Sequence, residues 1–164
     1  MDGMAQATLT HPAPSIRDQS TSKGVLFAGA VMGALGGAAM LGTLMIDAAL
    51  HGGSALRPLE LLGASFPGSA VDVLGGVVAH LLVSAALGVP FAAVVPRDFP
   101  TPAGAVLGIG YAFLVIAVMT SWVYPAANPV LDENLHSVGG AWVIGRALFG
   151  AVLGLAPWLR RRLR

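Results

Sequence analysis

The sequence predicts an all-α fold, a polytopic membrane protein built as a four-transmembrane-helix bundle with both termini cytoplasmic. Three observations carry that prediction. Four apolar stretches each reach the length of about 20 residues that a helix needs to cross the hydrocarbon core. Charged residues make up 10% of the 164 and hydrophobic ones 55%, whereas soluble domains carry about a quarter charged. The basic residues gather at the ends of the stretches, on one side if the chain starts inside. A chain of this length makes one domain, with no room for a soluble catalytic module beside four spans.

The elements follow in order. Residues 1–22 are polar and rich in Ser, Thr and Pro, and read as a flexible tail. The apolar run that follows Lys23 is too long and too late for a secretory signal, so it is expected to stay as an anchor. The transmembrane domain covers 23–159. Its first span, about 24–50, ends at His51-Gly52-Gly53. The next segment, Arg57-Pro58-Leu59-Glu60-Leu61-Leu62-Gly63, suits either a short interfacial helix or an irregular loop held down by its leucines. The second span, about 70–95, contains Pro90, which removes a backbone donor and should kink it, and it closes at Pro96-Arg97-Asp98. The third, about 101–124, stops at Pro125. The fourth, about 137–159, precedes a basic tail over 160–164.

Orientation rests on the flanks. Arg17, Lys23, Arg97, Arg160, Arg161, Arg162 and Arg164 share one side, while Arg57 stands outside beside Glu60 and the third loop holds Asp132 and Glu133. That distribution places both ends inside. Trp122 and Trp142 then fall near the outer interface and Trp158 near the inner one. The arginine run lies where a membrane flank needs it, so nucleic acid is not an expected partner.

Cysteine is absent, which excludes disulfides, thiol catalysis and Cys-ligated metals. His11, His51, His80 and His136 are the strong nitrogen ligands left. No catalytic residue, metal or cofactor is predicted. Met32, Met40 and Met45 read as adaptable core filler rather than a copper site.

Gly29, Gly33 and Gly37 recur every fourth residue with Gly36 beside them, and the spacing returns in Gly104 and Gly108 and in Gly150 and Gly154. Such faces let another backbone approach closely. The triple in the first span serves either packing within the bundle or association with another subunit or a second copy.

The candidate site is a polar cluster of His80, Arg146, Asp72 and Asp47. His80 and Arg146 lie at nearly equal depth, roughly 14 Å below the outer edge at 1.5 Å per residue, and both lean outward because helical side chains point toward their own N-terminus. Asp72 sits two turns above His80, and Asp47 lies near the outer end of its span, four residues before His51. Tyr111 and Thr120-Ser121 add hydrogen-bonding groups, and Asn128 and His136 complete an outer rim. An arginine in lipid needs partners. The cluster therefore reads as an interhelical tie, as a substrate, proton or quinone site, or as a haem site using His80, although a second His at matching depth is missing from the chain.

The stretches GVLFAGAVMGALGGAAM, HLLVSAALGVPFA, WVYPAANPVL and RALFGAVLGLA resemble those of small uncharacterised bacterial four-span inner-membrane proteins with no known activity. The resemblance covers most of the chain and implies a fold and an inner-membrane location. A His often stands in the fourth span of that group where Arg146 stands here, a departure that weighs against a paired-His site. The reading as a whole is a non-catalytic accessory or interaction subunit of a larger inner-membrane complex. Its alternatives are a small transporter or quinone- or proton-handling protein, and a haem-binding electron carrier.

Overall fold

The computed structural model describes residues 16–63, 73–127 and 140–163. Among them there are helices and turns and no strand. The elements are α1 (Ile16–Leu50), α2 (Arg57–Gly63), α3 (Val73–Val94), α4 (Thr101–Val118), a π-helical turn (Met119–Val123), α5 (Tyr124–Ala127), α6 (Gly140–Leu153) and α7 (Ala156–Arg162). Four stretches are long and apolar enough to cross a membrane: Ser22–Leu50, Val73–Val94, Thr101–Val123 and Gly140–Arg162. Their outward surface is apolar, with Leu35, Leu82, Val94, Val106 and Leu114 all more than half exposed. Water would penalise that surface, and lipid does not. The molecule is an all-helical multi-pass membrane fold.

Boundaries differ from expectation mainly at glycine and proline. α1 begins at Ile16 rather than near Gly24, so two helical turns of polar sequence precede the span. Its other end is a Schellman stop. Gly53 N–H donates to Ala48 O at 2.9 Å and Gly52 N–H to Ala49 O at 3.2 Å, with Gly52 at φ +77°, where glycine is favoured for want of a Cβ. The Arg57–Gly63 segment is helical. The third span does not stop at Pro125 but runs through it to Ala127. A proline ring clashes with the carbonyl four residues back, here Ser121, and the wider π turn over Met119–Val123 makes room for it. In the last span, Pro157 has the same conflict with Leu153, and the chain answers with a turn at Gly154 and Leu155 before α7 resumes. Helix then continues through Arg162, into the segment expected as a basic tail.

α1 lies between α3 and α6, and α4 packs on α6. Two glycine seams set these distances. On the first, a Cβ at Gly29 would sit 2.7 Å from Gly88 O and 2.7 Å from Val89 Cα, and one at Gly37 would strike Ser84 Cβ at 2.6 Å. On the second, a Cβ at Gly104 would sit 2.6 Å from Gly154 O, and one at Gly150 would meet Ile109 Cα at 2.5 Å. Contacts this short require bare glycine backbone. α3 thus occupies the face of Gly29, Gly33 and Gly37, so within the chain this face serves internal packing.

The two seams match position for position. Gly29-Ala30-Val31-Met32-Gly33 on α1 corresponds to Gly104-Ala105-Val106-Leu107-Gly108 on α4. Their partners also correspond, since Gly33 meets Ser84 O as Gly108 meets Gly150 O, and Gly29 meets Gly88 O as Gly104 meets Gly154 O. One helical-hairpin contact is built twice. His80 stands four residues before Ser84, and Arg146 four residues before Gly150, so the two ionisable groups hold the same position in the two hairpins.

A third contact, between α1 and α6, also uses glycine: Gly36 lies against Phe149 and Gly145 against Met40. α3 and α4 are bridged instead by side chains, with the rings of Phe91 and Tyr111 5.3 Å apart. The core is formed by Met32, Met40, Phe91, Ala92, Val95, Ala112, Phe149, Leu153 and Ala156, which bears out the expectation for two of the methionines; Met45 is half-buried.

Candidate functional site

Two polar groupings stand out. The first lies across the middle of the bundle. His80 Nε2 is 3.2 Å from Gly37 O; a carbonyl can only accept, so Nε2 carries the proton and the bond ties α3 to α1. Gly37 permits this because its missing side chain leaves space for both His80 and Ser84. Arg146 is buried and stacks over Trp142, its guanidinium carbon 4.3 Å from the ring centroid. The side chain leans toward the N-terminus of α6, as helical geometry dictates, and the i, i+4 spacing brings the ring beneath it. Arg146 has a further interaction besides this stack.

The packing places His80 and Arg146 within one helical turn of each other along α1. His80 meets α1 at Gly37, and Gly145, next to Arg146, meets it at Met40. Three residues separate those levels, about 4.5 Å along the axis, and His80 and Arg146 are close enough to interact electrostatically. Asp47 does not join them. It pairs with His51, whose Nδ1 is 3.3 Å from Asp47 Oδ1 and 2.9 Å from Asp47 O, at the exposed end of α1. Seven residues separate Asp47 from Met40 on one helix, about 10 Å of rise, which is why it pairs locally. Asp72, Asn128 and His136 lie outside the described residues.

Tyr111, on α4, donates its hydroxyl to Leu87 O at 2.8 Å. Leu87 is three residues before Pro90, in the stretch of α3 where proline loosens the backbone ladder. Thr120 bonds Ile116 O at 2.9 Å on its own helix, the usual back-bond of a helical threonine.

The second grouping lies at the end of the bundle. Arg160 Nη1 donates to Ala92 O at 3.0 Å and Val95 O at 2.8 Å, capping the free carbonyls of α3. Arg161 Nη1 donates to Arg97 O at 2.9 Å and Phe99 O at 3.2 Å, and its Nη2 to Thr101 Oγ1 at 3.3 Å. These arginines hold the α3–α4 loop against α7. Sequence reasoning assigned them to a tail because their partners are backbone carbonyls more than sixty residues away, which no side-chain pattern announces. The Trp142–Arg146 stack was detectable from its spacing of four.

Among the described residues no group of three His, Asp or Glu side chains is placed to hold a metal ion. Comparison with protein-family models, with curated proteins and with solved structures gave no match.

Proposed function

We propose that the chain is a non-catalytic integral membrane subunit that packs into a larger bacterial inner-membrane assembly, with both termini on the cytoplasmic side. The observation that carries this reading is where the polar side chains end. His80, Tyr111, Arg160 and Arg161 each spend their donors on backbone carbonyls of another helix or of the α3–α4 loop. Groups committed in this way fix helix order and spacing. The gathering of Arg97, Arg160, Arg161 and Arg162 at one end supports the orientation. With the first glycine face taken up by α3, partners would meet the exposed apolar residues of α3 and α4, such as Leu82 and Leu114.

Purification in a mild detergent, followed by mass spectrometry and an absorption spectrum, tests this. A stoichiometric membrane partner is expected, and it should be retained by Arg146→Met. A stable, lone particle would overturn the subunit reading, and a Soret band would establish the haem alternative.

The nearness of His80 and Arg146 favours a second reading, a small transporter or a quinone- or proton-handling protein using that level. It requires ligand-dependent stabilisation of the purified protein that disappears in His80→Ala.

A further inference from the structure

We propose that the basic end of the bundle binds the headgroup phosphate of an anionic phospholipid. Four arginines meet there: Arg97 in the α3–α4 loop, and Arg160, Arg161 and Arg162 in the last turn of α7. The bonds of Arg160 and Arg161 go to neutral carbonyls and a hydroxyl, which position the guanidinium groups without neutralising them. Asp98 is the one carboxylate among the described side chains at this end. Arg97 has a specific deficit. Its Nε is shut off from solvent and has no hydrogen-bond partner among the described residues, and a buried donor left unmade is costly. Clustered cations that carbonyls position and do not neutralise call for an oxyanion, and phosphate accepts guanidinium N–H groups well.

The surroundings select a lipid over free phosphate. Trp158 lies beneath Arg162, with the guanidinium carbon 5.6 Å from the ring centroid, and an amphipathic indole marks the headgroup level. At the same end, Val94, the last residue of α3, is 81% exposed. Deeper in the bundle α3 and α4 are joined by side chains rather than by a glycine seam. Basic groups between helices at the membrane surface recognise anionic headgroups in this way.

The test uses the full-length protein in nanodiscs of phosphatidylcholine, with and without phosphatidylglycerol, read by thermal unfolding and by native mass spectrometry of retained lipid. Phosphatidylglycerol should raise the unfolding temperature and be retained preferentially. Arg97→Gln, which breaks no hydrogen bond within the described protein, should lower that preference roughly fivefold while leaving stability in pure phosphatidylcholine unchanged or higher. Arg162→Gln serves the same purpose should Arg97→Gln fail to fold. Equal retention of the two lipids overturns the proposal, as does full preference in whichever variant folds. Inorganic phosphate added to pure phosphatidylcholine discs should do nothing; stabilisation equal to that by phosphatidylglycerol would make this a site for free phosphate and refute the lipid assignment.

Discussion

Alanine at Gly29 and alanine at Gly42 place the same methyl group on the same helix with opposite expected outcomes. At Gly29 the new Cβ would lie 2.7 Å from Gly88 O, 2.7 Å from Val89 Cα and 3.0 Å from Ala92 Cβ. The first two are backbone atoms, which no rotamer change can move. Ordinary contact is about 3.5–4.0 Å, so α1 and α3 must part by about 1 Å. Even half that opening at the level of Gly37 takes His80 Nε2, now 3.2 Å from Gly37 O, beyond hydrogen-bonding distance. Overpacking costs about 1–3 kcal/mol, and an interhelical hydrogen bond in a membrane is worth about 0.6 kcal/mol. Together these give a loss of about 3 kcal/mol for Gly29→Ala. At Gly42 nothing lies within 4 Å of the point where a Cβ would stand, so alanine should be neutral or stabilise by up to about 1 kcal/mol through reduced backbone freedom. Titration from mild detergent into dodecyl sulfate, followed by circular dichroism and tryptophan fluorescence, measures both. Losses of equal size at the two positions would refute the seam argument.

Other expectations follow from single contacts. Tyr111→Phe removes the donor to Leu87 O and should cost about 0.6–1.7 kcal/mol in the same titration. Arg161→Gln should release the α3–α4 loop, seen as faster hydrogen exchange over residues 96–101 with exchange in α1 unchanged. Gly52→Ala should cost about 1–2 kcal/mol, because Gly52 holds φ +77° at the helix stop, and equilibrium unfolding against Gly42→Ala isolates that term.

Much of the architecture was legible because lipid leaves few solutions. An unpaired backbone group is too costly in hydrocarbon, so four apolar runs must be helices. Depth was legible to within about a turn, since a rise of 1.5 Å per residue carries His80 and Arg146 to neighbouring levels. Helix ends at Pro125 and Pro157 were not, because a proline inside a span is accommodated by π turns and tight turns that depend on neighbouring packing. The partners of His80, Tyr111, Arg160 and Arg161 were beyond reach for a different reason: every residue carries a carbonyl, so sequence does not distinguish Gly37 O from any other acceptor. The twin segments Gly29–Gly33 and Gly104–Gly108 are visible in the sequence, but 22 glycines blur such a match until the contacts of Ser84 and Gly150 are seen to agree. Asp47 illustrates the opposite case, where a local partner four residues away outcompeted a distant arginine.

Because the chain has no cysteine, single cysteines report topology without interference. Lys23→Cys and Arg162→Cys, probed with a membrane-impermeant maleimide in intact cells and in inverted vesicles, test the four-crossing bundle most directly. Both should label only in inverted vesicles, with Ser54→Cys labelling in intact cells. Labelling of Lys23→Cys and Arg162→Cys from opposite faces would contradict the bundle itself.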